Sequence, residues 1–195
     1  MISIKLNALS FVFLFSIFVQ PSFSQAITWN EDVRGWFIGV DRSIGDGCFM
    51  YSTFDGGSVL RAGFNVDGDS MYILVGNRNW MSLEEGKLYP IEIQFGNRPP
   101  WTGDASVFIW SDGDRALNLT VPFTNNIANN FVRELQQTQN VIVRYQGRQI
   151  MNLSLKGSFA AMAEVMNCQE TMLSNNVPGA DPFNANGVNG ADPFR

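Results

Sequence analysis

The sequence predicts a β-rich α+β fold: about nine strands in an antiparallel sandwich or curled sheet, with two C-terminal-half helices packed on it. Three observations predict it. Apolar residues alternate with polar ones through much of residues 34–123, as in strands with one wet face. Short turns rich in Gly and Asp punctuate that alternation, favouring hairpin order. The apolar period then lengthens to that of a helix from Thr124 and again from Ser158.

Each element follows from its residues. Trp36, Ile38 and Val40 alternate in the first strand, Gly45-Asp46-Gly47 turns, and Cys48 to Phe54 returns. After Asp55-Gly56-Gly57, Leu60, Ala62, Phe64 and Val66 alternate with Arg61, Gly63 and Asn65. Asp67-Gly68 is a hairpin signal, and the unbroken apolar run Met71 to Val75 suits a strand covered on both faces. Asn77 to Lys87 reads as a loop around Trp80. Ile91, Ile93 and Phe95 form a strand, Arg98-Pro99-Pro100-Trp101 a rigid connector, and Ala105 to Trp110 the next strand. Ser111-Asp112-Gly113-Asp114 turns into Leu117, Leu119, Val121 and Phe123. Ile127, Phe131 and Leu135 then mark a helix capped by Thr124 or Asn125. Val141 to Tyr145 and Ile150 to Leu155 are strands joined near Gln146-Gly147. Ser158 is the expected N-cap of a last helix, with Phe159, Met162, Ala163 and Met166 on its packed face and Cys168 at or just past its end.

The start of the chain sets the compartment. Lys5 precedes a dense apolar run from Leu6 to Val19, and Pro21 and Ser22-Phe23-Ser24 follow. That is the basic, apolar and small-x-small order of a cleavable export signal, with cleavage expected after Ser24 or, second, Ala26. The run falls short of the roughly 20 residues of a membrane span. The expected organisation is a signal peptide over 1–24, a globular domain over 25–170 and a flexible tail over 171–195. The destination is periplasmic or extracellular, without stable membrane insertion after cleavage. In the tail, Gly-Ala-Asp-Pro-Phe occurs twice, at Gly179–Phe183 and Gly190–Phe194. Phe183 and Phe194 are isolated apolar anchors that can dock a partner; the plainer reading is a drifted duplication without a role.

Composition excludes several chemistries. With 13 Lys and Arg against 18 Asp and Glu, the net charge of −5 offers no basic face for nucleic acid. The absence of His removes the commonest general base and rules out Ser-His-Asp and Cys-His mechanisms. Cys48 and Cys168 are the only cysteines, and in an oxidising compartment they pair most simply with each other; two buried thiols are the alternative. No metal site or cofactor is expected. Asn65-Val66-Asp67-Gly68-Asp69-Ser70 opens like a calcium loop but lacks its later Gly and Glu, so a hairpin turn explains it better. Asn118-Leu-Thr120 and Asn152-Leu-Ser154 match the glycosylation sequon inside expected strands.

The candidate binding residues are Trp80 and Trp101, read as loop aromatics, with Arg78 and Arg98 close by in sequence. Trp36 and Trp110 fall in strands and read as core. Asp104, Asp112 and Asp114, near Trp101 and Trp110, are the best candidates for a carboxylate pair acting on a glycan.

Cys48 in an early strand, Trp80 in a central loop, and the ending Leu155-Lys-Gly-Ser158-Phe-Ala-Ala-Met-Ala-Glu-Val-Met-Asn-Cys168 resemble a class of small exported bacterial proteins. The resemblance covers most of the mature domain. It implies a periplasmic or secreted domain with that disulfide, and it brings no catalytic residues. The invasion-associated-locus-B group shares the broad format, without a match at its cysteines.

The expected function is that of a non-enzymatic periplasmic or secreted binding or accessory protein, such as an inhibitor or immunity protein, with a protein or envelope component as partner. The alternatives are an envelope glycan-binding or glycan-hydrolysing protein working through Trp80, Trp101 and nearby acids, and a structural surface component.

Overall fold

The structure is a computed structural model that describes residues 26–42, 47–65, 69–110 and 113–175. Ten strands follow one another: β1 (Ala26–Asn30), β2 (Phe37–Asp41), β3 (Gly47–Phe54), β4 (Ser58–Phe64), β5 (Ser70–Asn77), β6 (Tyr89–Phe95), β7 (Trp101–Ile109), β8 (Arg115–Pro122), β9 (Asn140–Tyr145) and β10 (Arg148–Ser154). Helix α1 (Ile127–Gln137) interrupts them and α2 (Ser158–Asn175) follows. The strands form one antiparallel sheet in the order β1-β2-β3-β4-β5-β8-β7-β6-β9-β10, with β1 and β10 as its edges rather than a closed barrel.

Strand β7 links the two halves of the sheet. Trp101 to Ala105 pair with β6, and Ser106 to Ile109 pair with β8. Inward side chains of both halves join α1 and α2 in a single core: Ile38, Met50, Leu60, Ile73 and Leu117 on one side, Ile93, Phe95 and Val143 on the other. The sheet curls around that core and the helices fill its concave side. Phe131 of α1 meets Phe95 and Trp101 edge-on, at 4.9 and 5.3 Å between ring centres.

Two sequence features set the helix positions. Ala128, Phe131, Val132 and Leu135 are buried on one stripe of α1, as its apolar spacing requires. Cys48 of β3 is disulfide-bonded to Cys168 of α2, with the Cα atoms 6.0 Å apart and 120 positions of sequence between them. Next to the bond, Gln169 Oε1 accepts the Cys48 N–H at 2.8 Å. An early strand and the last helix are thus joined covalently. Among the described residues no helix is long and apolar enough to cross a membrane. The disulfide is consistent with an extracytoplasmic location.

Several boundaries differ from the sequence reading. Strand β1 was not expected; its residues are mostly exposed on a sheet edge and carry little alternation. Trp29 within it donates from Nε1 to Glu164 Oε1 on α2 at 2.9 Å. Strand β7 begins at Trp101, so the expected rigid connector ends one residue earlier. A single 3-10 turn, Thr124–Asn126, precedes α1, whose N-cap is Asn126 in the left-handed region without a side-chain cap bond.

The largest difference is in α2. It extends to Asn175, which places Cys168 inside the helix. Its buried residues include Ala161, Met162, Val165, Cys168 and Gln169, while Phe159, Ala163 and Met166 face outward. Both faces are apolar, so spacing alone could not choose between them; the disulfide fixes the rotation. Ser158 is not a cap: its Oγ donates to the Leu135 carbonyl oxygen at 2.7 Å and ties α2 to α1.

Candidate functional site

Strand alternation gives β2 to β5, β8 and the second half of β7 a convex face opposite the helices. In an antiparallel sheet that face is ordinarily polar. Here it is aromatic. Phe49, Tyr72, Leu74 and Ala116 are buried in a second apolar cluster, and half-buried Phe37, Tyr51, Phe108 and Trp110 surround them. No helix residue belongs to this cluster among the described residues. Phe37 leans on Phe49 with ring centres 6.0 Å apart, and Phe108 meets Trp110 edge-on at 5.4 Å.

Two glycines let the rings lie flat on the strands. A Cβ at Gly63 would meet the Cys48 carbonyl oxygen at 2.6 Å and the Phe49 Cβ at 2.7 Å. A Cβ at Gly76 would approach the Trp110 ring to 3.0 Å. Side chains at either position would push the cluster off the sheet.

A buried ion pair sits at the centre. Arg61 lies opposite Tyr51 and Leu74 in the ladder. Its guanidinium stacks 3.8 Å from the centre of the Phe49 ring. Its Nη2 donates to Asp41 Oδ2 at 2.6 Å, and its Nε donates to the Tyr72 hydroxyl oxygen at 2.7 Å. Asp41 and Arg61 are 5 % and 9 % exposed, so their charges are held by protein groups more than by water. The planar guanidinium donates to two partners at its edge while its face stacks on Phe49, which a lysine ammonium could not do.

Burial pushes the Tyr72 hydroxyl up to about 12, against the opposing pull of Arg61. A raised folded-state value means that the proton is held more tightly in the folded chain. Stability is therefore complete below the ordinary tyrosine value near 10 and declines as pH rises toward about 12. Urea midpoints measured across that window should fall for the wild type, with a loss of roughly 2–3 kcal/mol assigned to this hydroxyl. Tyr72→Phe should remove that part of the decline.

Beside the pair lies a cavity of about 100 Å³ lined by Asp41, Arg61, Asn65, Tyr72, Leu74, Phe108 and Asn118. Asn118 Oδ1 is buried there without a donor among the described residues. An unmet buried acceptor is costly, and a partner that supplies an N–H or O–H relieves it. Asn118 is also the acceptor of one sequon, and it lies within β8; Asn152 lies in β10, its Oδ1 accepting from Asn140 Nδ2.

The residues singled out from sequence go elsewhere. Trp101 is not a loop residue. It opens β7 and points toward α1, where its Nε1 donates to Glu134 Oε2 at 2.8 Å. Arg98 is 4.0 Å from Glu134 and donates to Gln137 Oε1 at 3.5 Å, so it braces the same helix. Trp80 is half-buried against the main core. Exposed Arg78 donates its main-chain N–H to the Gly57 carbonyl oxygen at the β3–β4 turn. Trp36 is core as expected, with Nε1 donating to the Lys156 carbonyl oxygen at 3.0 Å. Trp110 lies just past β7, and it is half-buried on the convex face rather than in the main core.

Of the proposed acids, Asp104 is not assembled with Trp101. Asp104 projects from the face of β7 opposite Trp101, and the main-chain carbonyl of Asp114 closes the β7–β8 turn with the Trp110 N–H at 2.9 Å. Asp112, Asp67, Phe183 and Phe194, like the export signal, lie outside the described residues. On either side of residues 66–68, the Asn65 N–H donates to the Ser70 carbonyl oxygen at 2.9 Å, and β4 pairs antiparallel with β5, as a hairpin requires. Asp104 does line an open cleft of about 410 Å³ with Glu92, Thr102, Gln146 and neighbouring backbone, and among the described residues no aromatic ring lines it.

The chain matches no protein-family model and no curated protein sequence. Among solved structures, its fold is similar to that of invasion associated protein B from Bartonella henselae. The likeness has a TM-score of 0.50 at 12 % identity and covers 75 % of this chain and 99 % of that one.

Proposed function

We propose that this chain is a non-enzymatic binding or accessory protein of the periplasm or cell exterior, and that the convex aromatic face around Arg61 is where a protein partner docks. The observation that carries this reading is the half-buried rim of Phe37, Tyr51, Phe108 and Trp110 around a fully anchored centre, on a face that no helix residue covers among the described residues. Uncovered aromatic patches with a buried Arg are the usual makings of an interaction hot spot. The unmet acceptor of Asn118 adds a polar point for orientation. The fold likeness to invasion associated protein B supports a bacterial setting. An inhibitor or immunity protein is one concrete form of this activity.

The second reading, an envelope glycan-active protein, draws on the cleft between Glu92 and Asp104. These residues are diagonal neighbours across β6 and β7, a backbone spacing of about 7–8 Å that puts two carboxylates on one face of the sheet. The cleft lacks the stacking ring that sugar recognition favours.

Photocrosslinking in the producing cells separates the two. A p-benzoylphenylalanine in place of Tyr51 should give one discrete protein adduct, and the same probe in place of Thr102 should give none. The first reading is lost if Tyr51 yields no adduct while the purified chain is retained on envelope polysaccharide and Asp104→Asn abolishes retention.

A further inference from the structure

Helix α2 is apolar on two sides. Beside its packed stripe, Phe159, Met166 and Leu173 recur at heptad spacing and remain 63 %, 49 % and 44 % exposed. Between Met166, Leu173 and the sheet lies a groove of about 380 Å³ whose floor is the Phe64–Phe123 stack, with ring centres 5.7 Å apart. Gln169 and Glu170 complete its walls.

One residue lining the groove has a buried polar atom without a partner among the described residues. Gln169 is 6 % exposed, and its Oε1 accepts the Cys48 N–H. That bond fixes the orientation of the amide and leaves Nε2 as a donor. Nε2 is buried and has no acceptor among the described residues. The fitting occupant is therefore an apolar ring next to a hydrogen-bond acceptor.

We propose that the chain's own Gly-Ala-Asp-Pro-Phe segment, Gly179–Phe183, occupies this groove in cis. Phe183 packs on the Phe64–Phe123 pair, and a main-chain carbonyl of Asp181 or Pro182 accepts from Gln169 Nε2. Pro182 has no N–H, so the segment offers carbonyls with one competing donor fewer. Glu170 on the rim repels the Asp181 carboxylate and favours the carbonyl as the acceptor.

Reach is not limiting. Extended chain covers about 3.3 Å per residue, so Asn175 to Phe183 spans roughly 26 Å. Leu173 and Met166 are separated by only roughly 10 Å along the helix. A short tether gives an effective concentration of about 1 mM, so a motif with millimolar affinity in trans is substantially docked in cis. The repeat at Gly190–Phe194 is an equivalent occupant, and it explains why duplication would be useful: one copy docks while the other stays available.

The test uses the full mature chain with p-benzoylphenylalanine replacing exposed Leu173, and a control chain with the probe at exposed Ile150 on β10. Peptide mapping should find an intramolecular link from position 173 to a peptide containing Phe183 or Phe194, independent of protein concentration. The Phe183→Ala/Phe194→Ala variant should lower its yield more than about tenfold, as loss of a buried ring implies. No tail link, an equal link from position 150, or a link only between two chains at high concentration would overturn the proposal. The urea midpoint of that variant, measured alongside, should stay within about 1 kcal/mol of the wild type, which shows that it folds.

Discussion

Replacing Arg61 with methionine should destabilise the fold by about 3–5 kcal/mol, the largest effect expected of any single substitution on the convex face. The side chain itself fits, since methionine is close to the arginine stem in shape and can still lie on Phe49. What is lost is the guanidinium that donates to Asp41 at 2.6 Å, and Asp41 is only 5 % exposed, so water cannot readily replace it. The Tyr72 hydroxyl also loses the N–H that it accepts from Arg61. Asp41→Leu/Arg61→Met should recover most of the loss, because two apolar groups leave no orphan charge. The double variant should therefore be more stable than either single one. Urea denaturation of the four proteins measures this directly, and equal additive losses would show that the pair is not coupled.

Removing the disulfide by Cys48→Ala/Cys168→Ala should cost about 5 kcal/mol in the chain-entropy account, given its 120-position loop. For a chain of this size such a loss lowers the melting temperature by roughly 10–20 °C. Two further consequences follow from geometry. The disulfide sets which of the two apolar faces of α2 is packed, so its removal should also loosen the Gln169–Cys48 bond and the Trp29–Glu164 bond. Amide exchange should then rise first in β1 and in the second half of α2, while the β5–β8 ladder stays protected. Reduction of the wild-type protein should reproduce the pattern.

Much of the fold was legible in the sequence, because alternation has one cause and one meaning in a sheet with a single core. Leu117, Leu119 and Val121 pointed inward as their spacing required, as did Phe131 and Leu135 in α1. The same rule failed at β4, where Arg61 and Gly63 read as the polar face. Both are buried, because a charged side chain with a carboxylate across two strands and an aromatic floor can be covered without water. The unbroken apolar run of β5 was the available signal: a strand covered on both faces needs a second layer, and that layer is the aromatic cluster itself. Nothing local in Asp41 announced its role, since its partner lies 20 positions away.

The tryptophans misled for a related reason. A loop-like Pro-Pro context suggested that Trp101 was free, but its N–H is satisfied by Glu134, a residue whose place on α1 no local pattern links to position 101. The rotation of α2 was likewise undecidable from spacing, with apolar residues on both sides. Long-range partners, not propensities, settled each of these positions.

The claim on which the functional reading depends is that the aromatic rim serves a partner as well as covering the sheet. Crosslinking from position 51 should be repeated in Phe37→Ser/Trp110→Ser, with the urea midpoint of the same protein measured alongside. The account expects the adduct to vanish while the chain still folds, with a stability loss of roughly 1–3 kcal/mol for two half-buried rings. An adduct that persists unchanged, or a chain that no longer folds, would instead mean that these rings serve the sheet alone.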